Sequence, residues 1–336
     1  MSRPGKRWRT ALAVLGVFAL FSQEGQAQDS AEEGILTFQF ENDIFGNTDQ
    51  HFTHGTRLAW MSPEDKVPEW VKNAAALMPA FDPKASKRIV YSLGQSIFTP
   101  DDLKTSELIP EDRPYAGWLY AGVGLVSVTG DRLDNLEFGV GVVGPASFAE
   151  DVQKTWHKWF GFQRPNGWDN QLENELGILL SYERKWRRWL RFGGLGLDGD
   201  VTPHVGINLG NVLTQGAVGF TMRIGSDLAH HYDYGPPRIR PSLPGSDYFV
   251  SDGGLGWDVF FGAEARGVFH NIFLDGNTFR DSHSVDKKPL VGDVQGGIAL
   301  IIGPVRLAYT HVFRTKEFGS QDDTDQYGAF SISARF

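Results

Sequence analysis

The chain of 336 residues contains no cysteine. Disulfide staples, thiolate metal sites and cysteine nucleophiles are thereby excluded. It also lacks any run of 18 consecutive apolar residues, the minimum for a transmembrane helix. Basic residues are in deficit: 32 Lys and Arg stand against 41 Asp and Glu, a formal net charge of −9. That balance argues against nucleic acid as a partner. Charged residues make up 22% and apolar ones 41%, too apolar a mixture for a disordered chain. What the chain has in plenty is glycine, 40 residues, and aromatics, with 10 Trp, 9 Tyr and 24 Phe. The glycines follow no collagen-like period.

Residues 1–27 have the anatomy of a secretory signal peptide. Arg3, Lys6, Arg7 and Arg9 form a basic start, Ala11 to Phe21 an apolar run of eleven, and Gly25-Gln26-Ala27 a small-x-small cleavage site. Eleven residues rise ~16 Å as a helix, about half of a ~30 Å hydrocarbon core, so the segment is too short for an anchor. Its removal leaves residues 28–336 as a single domain with 28 Lys and Arg and 40 Asp and Glu, a net of −12.

Past that point the dominant period is two. Leu36, Phe38 and Phe40 alternate with Thr37, Gln39 and Glu41; Val218, Phe220, Met222 and Ile224 alternate with Ala217, Gly219, Thr221 and Arg223. About twelve such segments occur, over 35–43, 52–61, 88–98, 117–129, 133–143, 171–188, 195–208, 215–225, 256–274, 289–302, 304–314 and 326–336. Many exceed the 5–6 residues of an ordinary strand and match the roughly 9–11 of a tilted membrane-spanning one. Alternation alone does not separate a soluble sandwich from a membrane barrel. Strand-borne glycines, Trp60, Trp118, Tyr120, Trp186, Trp189 and Tyr309 near strand ends, and a last segment closing on Phe336 favour the barrel. The expected class is all-β: a transmembrane antiparallel β-barrel of about 12 strands in the outer membrane. Trp118, Tyr120, Glu137 and Arg223 fall in inward sets and imply a filled lumen. Residues 226–255 read as a long Pro/Gly-rich connection.

One stretch, 146–162, breaks the alternation and predicts a short helix at the barrel rim or in its mouth. Gln153 and His157, four apart, share one of its faces. Asn42 and Asp43 end the first strand, and Asp49 and Thr53 flank the start of the second. By parity Asp43 and Thr53 point to the lumen, whereas Asn42 points outward unless a bulge intervenes. The chemistry these groups suggest is hydrolysis. Neutral His157 can take a proton from water, and Gln153 can orient the imidazole or the water. Asn42 and Asp43 are hard oxygen ligands that suit calcium rather than zinc. Taken singly, a histidine on an interfacial helix is ordinarily a surface residue, and Asn-Asp at a strand end is ordinarily a turn.

Several stretches together resemble the outer-membrane lipid A 3′-O-deacylase family. They are FENDIF (40–45), FTHG (52–55), GQSIFTP (94–100), DRPYAG (112–117), GPASFAEDVQKTWH (144–157) and GWDNQLENE (167–175). The resemblance implies a twelve-stranded barrel whose site lies between the wall and the outer leaflet. It implies removal of the 3′-linked acyloxyacyl group of lipid A by calcium-dependent ester hydrolysis, with a histidine activating water and calcium stabilising the oxyanion. Carried over by motif, the functional residues are Asn42, Asp43, Thr53, Gln153 and His157, with Lys104 matching a family lysine across a gapped loop. A family glutamate of the metal site falls at Gln163, which keeps a neutral oxygen and loses a charge. Glu150, Asp169 and Glu175 are the nearest carboxylates in sequence that could replace it. The partners implied are lipopolysaccharide and outer-membrane lipids, for a monomer. A phospholipid acyl hydrolase and a non-catalytic pore or structural barrel are the other two readings.

Overall fold

The computed structural model describes residues 32–46, 51–64, 66–76, 81–226, 228, 232–233, 235–239, 246–251 and 253–336. The expected signal segment, 1–27, and Asp49 lie outside them. The described strands are β1 (Ile35–Asn42), β2 (His51–Met61), β3 (Ser86–Thr99), β4 (Ala116–Thr129), β5 (Arg132–Val143), β6 (Glu175–Trp186), β7 (Leu190–Gly194), β8 (Leu197–Gly210), β9 (Leu213–Ser226), β10 (Tyr232–Asp233), β11 (Phe249–Val250), β12 (Leu255–Asn271), β13 (Leu290–Ile302), β14 (Val305–Arg314) and β15 (Asp325–Arg335).

Twelve of them close an antiparallel ring. β1 pairs with β2 on one side and with β15 on the other, in register Ile35 to Arg335 and Asn42 to Gly328. At the far side β6 pairs with β8, so the sheet has no open edge there. β7 extends the line of β6 along the lower part of β8, and β10 and β11 form a separate two-stranded piece. The period of two thus becomes two surfaces. Leu58, Leu93, Val123, Phe138, Val140, Ile178, Leu180, Val218 and Phe261 are exposed on the outside, the apolar band a bilayer requires. Thr37, Gln39, Glu41, Arg57, Glu137 and Arg223 are buried within.

The lumen is filled. The described part of 226–255 connects β9 to β12 by entering the barrel from the end that bears the chain termini. Its Asp233 accepts from Arg306 at 2.7 Å, Asp247 from Arg57 at 3.0 Å, and its Arg238 donates to Tyr327 Oη at 2.8 Å. Each charge buried away from water needs such a partner. Trp118 and Tyr120 belong to this interior as well, stacked with centroids 4.2 Å apart. Their expected place in an outer aromatic girdle is therefore corrected, while Trp60 and Trp189 do face outward.

The helical content exceeds the single interruption expected. α1 (Glu69–Ala76) lies between β2 and β3, α2 (Ala149–Phe160) occupies the predicted stretch, and the short α3 (Ile272–Asp275) replaces the end of the strand expected over 256–274. The segment 171–188 is extended only from Glu175.

At the end opposite the termini, the loops clasp one another over the mouth. His51 bonds to Asp325 and lies 3.7 Å from Asp112. Arg113, fully buried, meets Glu317 at 3.3 Å, and His283 Nε2 donates to the Asp112 carbonyl at 2.6 Å. Burial alone would raise the Asp112 carboxyl, but hydrogen bonds from His51 and backbone N–H groups hold it below the usual range. Burial likewise acts to raise Glu317, and the Arg314 and Arg113 guanidiniums outweigh it. Depressed carboxyls stabilise the clasp above their unfolded values of about 4, and that stabilisation is lost as pH falls through the folded values. Hydrogen-exchange protection in loops 100–115 and 315–324, corrected for intrinsic rates, is expected to be high at neutral pH and to fall below about pH 4. Unchanged protection at pH 3 would exclude a carboxylate-dependent clasp.

Candidate active site

The first two strands set the site's position through one extra residue. In the β2–β3 ladder Phe52 opposes Phe98 and His54 opposes Ile97, so Thr53 is a bulge. A bulge reverses the facing of what precedes it. Phe52 therefore turns into the lumen against Phe98 and Tyr327, with centroids 5.4 and 5.1 Å away. Thr53 turns outward and pairs with Thr99, Oγ1 to Oγ1 2.7 Å. Its predicted lumenal facing is corrected on that ground. Asn42 keeps its outward parity, opposite His54. Its Nδ2 donates to the Thr53 carbonyl at 2.7 Å and its Oδ1 accepts from Ile44 N at 2.9 Å. Asp43 opens the 3₁₀ turn Asp43–Gly46 and is buried.

α2 lies over this outer face. Gly117, on the outward parity of exposed Ala121 and Val123, sits so close to Ala149 and Ser147 that a Cβ there would fall 2.2 Å from both. A side chain at 117 would lift the helix off the wall. Trp156 of α2 and Phe40 of β1 are 5.4 Å apart, and Trp156 and His54 5.9 Å. Ala149, Gln153 and His157, spaced four apart, form the buried face of α2, whereas Trp159 and Phe160 are exposed on the other. The helix thus turns Gln153 and His157 toward the wall, and its outer side carries Trp159 and Phe160 together with Asp151, Thr155 and Lys158; Glu150 and Asp151 stand at its positive end.

His157 is 3% exposed. Its Nδ1 bonds to the main-chain oxygen of Gln163. A carbonyl only accepts, so Nδ1 carries the proton and Nε2 is the acceptor nitrogen of the neutral ring. Gln153, 2% exposed, accepts at Oε1 from Trp168 Nε1 at 2.8 Å. Trp168 is not singled out by the sequence beyond its motif stretch. It packs on Tyr115, 5.0 Å between centroids, in a cluster with Ile97, Leu103 and Ala149. Asn166 N and Nδ2 donate to the carbonyls of Leu103 and Lys104, each at 3.0 Å, and so tie the loop of Lys104 to the loop after His157. Lys104 itself is exposed on that seam.

The six sequence stretches, scattered over 40–175, therefore meet around one helix. Not every predicted group comes with them. The Gln163 side chain is exposed and donates to its neighbour Arg164's carbonyl at 3.3 Å; only its main-chain oxygen reaches His157. Two of the three substitute carboxylates are engaged, since Glu150 holds Lys154 and Glu175 accepts from Asn211, Asn277 and Thr278, while Asp169 is exposed. Among the described residues no group of three or more His, Asp or Glu is arranged to hold a metal ion. The β1–β2 hairpin carries Asn42 and Asp43 next to each other in sequence, both buried, with the Asn42 oxygen accepting from Ile44 N. That donor set fits calcium in kind and supplies one negative charge.

A family model described as Outer membrane protein LpxR matches residues 11–336. Among solved structures, LpxR from Salmonella typhimurium is similar with a TM-score of 0.71 and 22% identity, over 90% of this chain and 100% of that one. The beta domain of the Bordetella autotransporter Brka matches 90% of this chain and 97% of its own at a TM-score of 0.41 and 8% identity. The translocator domain of the autotransporter NalP from Neisseria meningitidis matches 91% and 89% at 0.39 and 10%. A search of curated proteins by sequence finds no match. With the family model spanning almost the whole chain and a closed twelve-stranded barrel to match, this protein belongs to the outer membrane protein LpxR family.

Proposed function

We propose that the protein is an ester hydrolase of the outer membrane that removes the 3′-linked acyloxyacyl group of lipid A. The observation that carries this reading is the tautomer of His157. An imidazole locked by its Nδ1–H, with Nε2 as acceptor, sits on the wall side of a helix laid against the lipid-facing surface. A base in that position meets substrate that never leaves the leaflet. The loop-bearing end faces the cell surface, since the tight turns at 130–131 and 303–304 lie at the end with the termini, as periplasmic turns do. All groups come from one chain, and the working unit is a monomer.

The reaction balances with one base. His157 Nε2 takes a proton from water as the water oxygen bonds to the acyl carbon. The tetrahedral anion collapses by breaking the bond from that carbon to the sugar oxygen. The imidazolium returns its proton to the departing oxygen, and fatty acid and alcohol are released. Gln163's carbonyl holds the ring through both transfers and stabilises the charged form. Asp43 and Asn42 would hold calcium, which when bound supplies positive charge to the carbonyl and its anion. The exposed Lys104 is placed to meet an anionic group of the substrate. Trp159 and Phe160 keep the helix in the acyl region and exclude water from its far side.

His157→Ala is expected to leave a heat-modifiable, folded barrel and to lower kcat by about 10²–10⁴, the usual share of a general base. Lipid A from membranes carrying this variant, followed by mass spectrometry, would show the intact ester. A variant that still cleaves at the wild-type rate would remove His157 from the role. Asp43→Asn is expected to raise the calcium concentration needed for half-maximal rate, whereas Gln163→Ala leaves that concentration unchanged, because its side chain faces away. Equal calcium dependence of the Asp43 variant and wild type would count against Asp43 as a ligand.

A further inference from the structure

The two ends of the Gln153 amide are chemically distinguished by its neighbour. The Trp168 indole can only donate, so the atom 2.8 Å from its Nε1 is the oxygen. Nε2 is thereby fixed as the other end. It is buried and has no hydrogen-bond partner among the described residues. Trp168 is itself held rigidly, 1% exposed and wedged between Tyr115, Leu103 and the first turn of α2. Gln153 precedes His157 by one helical turn on the same buried face. A buried, unpaired N–H beside a base awaits an acceptor from outside the protein.

We propose that Gln153 Nε2 donates to the carbonyl oxygen of the scissile ester and to the oxyanion that forms from it. Trp168 is the positioning residue that keeps the amide turned that way. The inference rests on the hydrolase reading and deepens it: the site carries a protein-borne oxyanion donor in addition to any cation. The competing role, in which Oε1 uses its second lone pair to hold the attacking water, keeps the acceptor and makes the N–H irrelevant.

Gln153→Glu separates the two. It retains the oxygen that Trp168 grips and removes the donor. A donor role lowers kcat by about 10²–10³ with KM near wild type. The deficit then narrows as pH falls and the new carboxyl regains a proton to donate. A water-holding role leaves the rate intact. Trp168→Phe keeps the aromatic packing and removes the indole N–H. Its loss should vanish in a Gln153→Ala background, where a role in packing alone would make the two losses multiply. Each variant is first checked for heat-modifiable migration as a folded barrel. Should the wild-type protein fail to cleave lipid A, the hydrolase reading falls. The donor assignment is then read from binding of an uncleavable alkylphosphonate that mimics the tetrahedral anion, which Gln153→Glu should weaken at least tenfold. Wild-type rates in Gln153→Glu, or equal phosphonate affinity, would overturn the assignment.

Discussion

In hydrocarbon there is no water to satisfy a backbone N–H or C=O, so each must be paired inside the protein. The ring that runs from β1 to β15 and closes through β6 and β8 is the answer to that constraint. Its consequences reach the remainder of the molecule. Closure divides every strand into a lipid face and a lumen face. The lumen face must then solve its own problem, because it is polar and enclosed. Arg57, Arg306 and Arg238 are matched by Asp247, Asp233 and Glu41, and in each pair one member is brought in by the chain that enters from the termini end. A filled interior of this kind counts against a pore.

Against the outer wall, α2 encloses two polar side chains and leaves two aromatic ones outside. Its buried stripe carries Gln153 and His157, and its exposed side carries Trp159 and Phe160. That exposed side also carries Asp151, Thr155 and Lys158, a mixed apolar and polar face suited to a membrane surface. The wall beneath is adapted to receive it. Gly117 lets the helix come close, and Ile97 and Trp168 pack under its first turn. Burial also fixes hydrogen-bond directions that would be averaged in solvent. That is how a main-chain oxygen decides the tautomer of His157 and an indole decides the orientation of Gln153.

The motif stretches show what a linear reading can and cannot convey. Their convergence around α2 gives each stretch a structural role. Gln95 bonds the Ser147 carbonyl, Arg113 locks Glu317, and Leu172 N reaches the Tyr115 carbonyl. Gln163 illustrates the limit. The resemblance sets its side chain where a metal-site carboxylate is expected, yet what reaches the histidine is its main-chain oxygen, which any residue would supply. Trp168 is the converse case, legible as part of a motif but with no signal in the sequence for which atom it would hold.

By itself the sequence determined the properties that depend on local period. The alternation over twelve segments specified long strands with two unlike faces, the break at 146–162 specified a helix, and the spacing of Gln153 and His157 placed them on one side of it. Facing near the site was decided only in three dimensions. Parity counted from Arg57 sent Thr53 to the lumen, because a period of two carries no record of an inserted residue. The bulge is created by pairing with β3, 46 residues away from Thr53 at Thr99, and it turns Thr53 outward beside Asn42. The same holds for the segment within 226–255. Its composition announced an irregular connection, but its place inside the barrel follows from arginines and carboxylates on distant strands, whose charges must be matched away from water.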